Sequence, residues 1–310
     1  MISRSDRDEA PLYYTTVRRL PDDELRRRLA GPPEQAAKWV YAAATGGSAA
    51  AQVTLGQMLL DGHGLEPDPQ AACRWFAIAA RSGDLDGINM LARCYENGWG
   101  IAADRIEARK LYERAAAKSH GWGQFNLGMM LLNESGHPGD VATALTLFVR
   151  SARQGNAKAM NIIGRYREFG WVGRIDPASA MRWYRRAAKR GCFRAASHLA
   201  RFLLAQEQAE EAAGWYRQSA DTAPVHFCRD LAAHLFGSGR PDLYGVARHS
   251  LRRAAESDEP DDLFAYGLEL VQGRGGPVEL NEAAIWLGRA ETKGFPGALA
   301  LVTQAREKQL

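Results

Sequence analysis

A period of 36 residues runs through the middle of this chain, and it constrains the fold more than any single residue does. The segments AQVTLGQMLLDGHG from Ala51, GINMLARCYENGWG from Gly87, GQFNLGMMLLNESG from Gly123 and AMNIIGRYREFGWV from Ala159 start 36 residues apart three times in succession. Each carries a Leu or Ile followed by a small residue: Leu55-Gly56, Leu91-Ala92, Leu127-Gly128 and Ile163-Gly164. The marker continues as Leu199-Ala200, then Leu231-Ala232 after 32 residues and Tyr266-Gly267 after 35, which makes seven segments. A segment this short has too little apolar surface to fold alone, so neighbours must stack and the core must run along the array.

The second half of each segment repeats as well. An Asp (68, 104, 140, 176) is followed four residues on by Ala (72, 108, 144, 180). Next comes a large apolar pair: Trp75-Phe76, Leu111-Tyr112, Leu147-Phe148 or Trp183-Tyr184. An Asp at a helix start accepts from free N–H groups and complements the positive end of the helix dipole. Gly83, Gly155, Gly191 and Gly294 stand where a helix must end in left-handed geometry. Small residues at helical spacing let two helices approach closely while the Leu and aromatic side chains fill the space between them. Alanine pairs are frequent and no β-branched alternation extends over a useful length, so the segment is an antiparallel pair of helices of about three turns each. With 46% hydrophobic and 25% charged residues, disordered and collagen-like classes are excluded, and the chain is all-α.

The composite pattern A-x-x-x-L-G-x-x-Y/L-x-x-G-x-G-[VLI]-x-x-D-x-x-x-A-x-x-W-[YF]-x-x-A-A-x-x-G resembles the Sel-1-like repeat family, a relative of the tetratricopeptide repeats. The resemblance covers about 34 to 295. It implies a right-handed α-α superhelix, a solenoid of about seven helix pairs, with units near 48–84, 85–120, 121–156, 157–192, 193–224, 225–260 and 261–295. Residues 34–47, EQAAKWVYAAATGG, read as an orphan second helix, since Trp39 precedes Trp75 by one period. Residues 1–33 form an N-terminal extension or cap, and 296–310 a C-terminal capping helix. The fifth unit lacks the Gly-x-Gly turn and looks like a plain tetratricopeptide repeat. In the sixth, Ser250-Leu251 replaces the aromatic pair, which predicts a second helix that is less well packed or packs on something else.

Chemistry is hard to find in this pattern. The stretch ENGWG at 96–100 has the glycines of a phosphate loop, but no strand precedes it and no Lys-Ser/Thr follows, so it reads as the turn between two helices. His226, Asp230 and His234 share one helix face with Cys228 nearby, yet ligands from one helix make poor tetrahedral geometry. No Ser-His-Asp, Cys-His or paired-carboxylate set stands out, so no enzyme, metal or cofactor is expected. Cys73, Cys94, Cys192 and Cys228 are widely spaced and read as reduced thiols. A net charge of +4, with both signs interspersed, gives nucleic acid little to hold. The first residues carry charges where a signal peptide needs an apolar run, and no membrane span is present, so the expected compartment is the cytoplasm.

What a stack of helix pairs offers is an extended concave surface. Carried over from the tetratricopeptide resemblance, the groove positions three before the marker's small residue are Val53, Asn89, Phe125, Asn161, Ser197, Arg229 and Phe264. One after it come Gln57, Arg93, Met129, Arg165, Arg201, Ala233 and Leu268. Asn89 with Arg93 and Asn161 with Arg165 thus form two Asn-x-x-x-Arg pairs, with Asn126 between and Arg201 beyond. Guanidinium grips carboxylate bidentately, so a partner with acidic or carboxylate groups is expected there. Glu96 and Glu168, one turn past Arg93 and Arg165, are placed to neutralise them. Trp99 and Trp171 lie in interhelical turns and Trp122 opens a helix, and exposed Trp is over-represented at binding hot spots. The resemblance implies a non-catalytic protein-protein scaffold or adaptor. The alternatives are a regulatory partner of an enzyme, as in bacterial iron uptake or a hydroxylase system, and a nucleic-acid-binding solenoid.

Overall fold

A computed structural model describes residues 22–134, 138–171 and 173–307. Among the described residues there are seventeen α-helices, one short 3-10 turn and no strand. Helices α1 (Asp22–Leu29) and α2 (Pro33–Thr45) lead into seven pairs. These are α3 (Ala49–Asp61) with α4 (Pro69–Arg81), α5 (Leu85–Asn97) with α6 (Arg105–Ala117), α7 (Gly121–Glu134) with α8 (Pro138–Arg153), and α9 (Ala157–Phe169) with α10 (Pro177–Ala188). Then follow α11 (Phe193–Leu204) with α12 (Ala209–Thr222), α13 (Val225–Gly237) with α14 (Tyr244–Ala255), and α15 (Pro260–Gln272) with α16 (Leu280–Thr292), before a last helix, α17 (Ala300–Glu307). The chain divides into two compact halves, an N-terminal half that ends at Ala159 and a C-terminal half that begins at Met160.

In the N-terminal half, α2 packs on α3 as the orphan helix, through Ala37, Val40 and Ala44 against Leu55 and Met58. The marker's small residue explains itself here. A Cβ on Gly56 would enter the ring of Phe76, and a Cβ on Gly128 the ring of Phe148. In the C-terminal half, a Cβ on Gly164 would enter the ring of Tyr184 in the same way. All three rings are fully buried, so the glycine is what lets the first helix rest on the aromatic of the second. The C-terminal half ends in a cluster where Val302 of α17 joins Leu263, Leu270 and Leu287, closing the apolar end of the last pair.

Caps follow the sequence with one exception. Asp68 Oδ1 accepts from the Ala71 amide (2.9 Å), Asp104 from Ile106 and Glu107, and Asp176 from Ser179 (2.8 Å). Helix α8 starts at Pro138, so Asp140 lies inside its first turn rather than at the expected cap. First helices are capped too, by Ser48, Asp84 and Asn156. Gly83, Gly155, Gly191 and Gly294 all take positive φ. The second helix of the sixth unit is well packed despite lacking the aromatic pair: Val246, Ala247, Ala254 and Ala255 are fully buried, and Ser250 satisfies its hydroxyl on the Val246 carbonyl (2.9 Å). Beside them Arg248 is buried, donating to the Pro277 carbonyl and Glu279.

Candidate interaction surface

Helix α5 ends at Gly98, whose φ of 73° turns the chain back, and the Trp99 amide donates to the Cys94 carbonyl (3.0 Å). This reversal lays Trp99 against the last turn of its own helix. There the Arg93 guanidinium sits 4.8 Å from the ring centroid, and the indole joins a cluster with Cys73, Phe76, Met90 and Cys94. In the C-terminal half the same geometry recurs two repeats later: Arg165 lies 5.0 Å over Trp171. Trp171 is far more open, 43% exposed, edge-on to Tyr166 and stacked on Phe169 with centroids 5.7 Å apart. Trp122 is 44% exposed, edge-on to Phe125, with Lys158 Nζ 5.3 Å from its ring. The turn tryptophans therefore fold back on their own helices and carry a cation on one face.

The asparagines and glutamates are placed differently from expectation. Asn89 and Asn161 are each only 5% exposed, so neither amide lines an open surface. Asn89 accepts from Asn126 Nδ2 (2.8 Å), and Asn161 Oδ1 has no hydrogen-bond partner among the described residues. Glu96 does not neutralise Arg93: it accepts the Tyr112 hydroxyl (2.7 Å) from the second helix of its pair. Glu168 accepts the Tyr184 hydroxyl (2.6 Å) and pairs with Arg201, so Arg201 is tied up in the array. Arg93 and Arg165 make no ion pair among the described residues; Arg93 adds only a contact to Met90 Sδ.

The sequence pattern did not announce this Tyr–Glu bond, although a signal for it existed. Tyr112 and Tyr184 have Glu sixteen residues before them, whereas Phe76 and Phe148 have Leu60 and Leu132 there. The seventh pair makes the bond in reverse, from Tyr266 to Glu282. A buried phenol needs an acceptor and a buried phenyl does not, so the two positions change together in the first four pairs; the fifth departs, with buried Tyr216 having Ala200 at that spacing. Burial, reinforced by the nearby carboxylate, pushes the Tyr112 and Tyr184 phenols well above their ordinary range and keeps them donors. Tyr112→Phe is expected to destabilise the N-terminal half by about 1–2 kcal/mol. Adding Glu96→Leu, which copies the Leu60 and Phe76 arrangement, should return most of that loss; urea melts of the four-member mutant cycle measure it, and strictly additive effects would contradict the coupling.

Other candidate chemistry does not assemble. Gly98 and Gly100 precede a helix whose N-terminus is already filled by Asp104, and no strand adjoins the turn. His226, Asp230 and His234 are exposed while Cys228 points inward, its thiol 3.4 Å from the Ala220 carbonyl. Among the described residues no group of three or more His, Cys, Asp or Glu can hold a metal ion. Cys73 and Cys94 are free, buried and in contact, and burial pushes the Cys94 thiol up to about 12. No described helix is long and apolar enough to cross a membrane.

Helix pairs of one pattern, each closed by a glycine–aromatic contact between its two helices or by the small residue at that place, define an α-solenoid repeat protein. The Sel1 repeat model matches residues 49–84, 85–120, 123–156, 157–192 and 260–295, more than half of the chain, which therefore belongs to the Sel1 repeat family. The chain is 35% identical over 121 residues to chitin synthase regulatory factor 3 of Schizosaccharomyces pombe, a match to 38% of this chain and 13% of that protein. It is 28% identical over 172 residues to an uncharacterized protein of Neisseria meningitidis serogroup B, covering 53% of this chain and 36% of the relative. It thus spans well under half the length of either curated relative. Among solved structures, a Sel1 repeat protein from Oxalobacter formigenes superposes with a TM-score of 0.60 at 22% identity, over 76% of this chain and 99% of that one. Proteins of this repeat fold commonly serve as scaffolds for protein contacts and are typically non-catalytic.

Proposed function

We propose that this protein is a non-catalytic adaptor that binds another protein through the cation-covered aromatics of its repeats. The observation that carries this reading is the pair of Arg-on-Trp stacks, Arg93 on Trp99 and Arg165 on Trp171, whose guanidinium groups have no carboxylate of their own among the described residues. Stacking holds each guanidinium flat and leaves its N–H edge free for a partner's carboxylate. Asn89 and Asn161 are buried, with Asn126 donating to Asn89, while Trp122 adds a third cation-covered ring with Lys158 and Arg201 is held by Glu168. The partner is accordingly acidic at its contact point.

Affinity capture with the full chain is expected to recover one partner at fixed stoichiometry. Arg93→Ala combined with Arg165→Ala should weaken the reconstituted complex at least tenfold, with helical content unchanged by circular dichroism. An unaltered affinity in that variant would remove the stacks from the interface. The similarity to a chitin synthase regulatory factor supports a narrower form, in which the partner is an enzyme under regulation. Loss or gain of the captured enzyme's activity on adding this chain tests that form.

A further inference from the structure

The turns of the second and fourth repeats differ in what they expose. Residues 95–104 of the second repeat and 167–176 of the fourth occupy the same positions, 72 residues apart, and both end in an Asp that caps the following helix. The second repeat has Tyr95, Asn97, Ala102 and Ala103 where the fourth has Arg167, Phe169, Arg174 and Ile175. The second left-handed glycine also moves, from Gly100 in the second repeat to Gly173 in the fourth, and Ile175 lies against Gly170, so the two turns differ in backbone as well as in being more apolar and more basic in the fourth. Phe169 is 51% exposed and Ile175 57% exposed, and together with Trp171 they form an open apolar patch on one turn. Such side chains are normally withdrawn from water, and a contiguous group of them marks a contact surface.

Charge around the patch indicates what covers it. Arg165 lies on Trp171, and Arg167 and Arg174 are exposed with no ion pair among the described residues. The two carboxylates of the segment are both occupied, Glu168 by Tyr184 and Arg201, Asp176 by the start of α10. The rim is therefore uncompensated and positive, while the centre is aromatic and aliphatic. An apolar anchor in a pocket surrounded by complementary charge is the usual anatomy of a peptide hot spot.

We propose that the turn of the fourth repeat docks an acidic segment of a partner protein that presents one large apolar side chain to Phe169, Trp171 and Ile175; this rests on the adaptor reading above. A nucleic acid strand fits less well, because successive bases need stacking faces and Ile175 gives none.

The test uses the full chain and a fluorescein-labelled dodecapeptide of Glu, Asp and Ser around a single central Leu. Fluorescence anisotropy is expected to show binding that weakens several-fold between about 50 and 300 mM salt. Two control peptides, one with the acids replaced by Gln and Asn and one with Leu replaced by Ser, should each bind at least tenfold more weakly. The chain variant Phe169→Asn, Arg174→Ala, Ile175→Ala takes the residues of the second repeat at these exposed positions and leaves Gly170 and Gly173 in place; with helical content unchanged by circular dichroism, it should lose at least tenfold in affinity for the acidic Leu peptide. Equal binding of the neutral control, an unaffected triple variant, or tighter binding of a twelve-residue oligothymidylate would each overturn the proposal. If the triple variant keeps the captured partner and the Arg93 and Arg165 variant loses it, the docking site falls and the adaptor reading stands. If the wild-type chain captures no stoichiometric partner, the adaptor reading itself falls.

Discussion

Gly100→Ala is expected to destabilise the N-terminal half of the chain by on the order of 3 kcal/mol or more, although the substitution adds one methyl group to a turn between helices. Two effects combine. The residue has φ of 69°, a conformation that costs a residue with a Cβ about 1–2 kcal/mol. The added Cβ would also run into the Pro69 carbonyl and the Gln70 amide, which belong to the first turn of α4 in the preceding pair. Backbone cannot rotate away as a side chain does, so either the turn or the start of α4 must move, an overpacking penalty of typically about 1–3 kcal/mol. Gly98→Ala is the matched control. Its φ is 73°, yet its nearest neighbour, the Ala103 methyl, would lie 3.7 Å from the new Cβ, so only the same conformational penalty of about 1–2 kcal/mol applies. Because arrays of repeats need not unfold in one step, hydrogen exchange across α4 and α5 is the better measure, alongside urea melts. Equal losses in the two variants would show that close approach to α4 contributes nothing.

That contrast marks how far the sequence could be read. The spacing of the two glycines announced a turn, because left-handed geometry and close helix approach are demands that only glycine meets at low cost. Which glycine touched a neighbouring pair was not legible, since that depends on stacking and not on local geometry. The Asn-x-x-x-Arg pairs were legible as a helix face, and both arginines do stay partly accessible. Asn89 and Asn161 turned inward, although the same position is half-buried at Val53, Phe125, Ser197 and Phe264 and exposed at Arg229, so a register carried over from the tetratricopeptide resemblance did not say which units close over it. Glu96 and Glu168 illustrate a different limit. Their spacing from Arg93 and Arg165 suits an ion pair on one helix, a contact worth only a few tenths of a kcal/mol at a surface. A buried phenol from the opposing helix offers a stronger bond and takes the carboxylate. Only the joint change of Tyr with Glu and Phe with Leu across repeats carried that information in the sequence.

The second large effect is a dependence on pH centred on His198. Two repeats before it, the same position holds Asn126, an uncharged residue whose amide donates to Asn89. His198 is packed 4.9 Å from the Tyr184 ring, and burial lowers its pKa to about 4; Glu168 opposes that shift, while Arg201, Arg165 and Arg194 add to it. In the unfolded chain the imidazole takes a proton near about pH 6.5. Between the two values the unfolded state holds more protons than the folded one, so stability rises with pH across this window. The neutral histidine's contribution is complete above about pH 6.5 and is lost progressively as pH falls toward about 4. Two and a half units at about 1.4 kcal/mol each set an upper limit of about 3.5 kcal/mol for the C-terminal half. Carboxylates begin to titrate in the same range, so the relevant quantity is the difference between wild type and His198→Asn. Urea melts at intervals from about pH 4 to 8 should show the variant gaining on wild type by about 2–3 kcal/mol as pH drops, with no relative change above about pH 7. Parallel pH profiles for the two proteins would mean that His198 accepts its proton in the folded array as readily as in the unfolded chain.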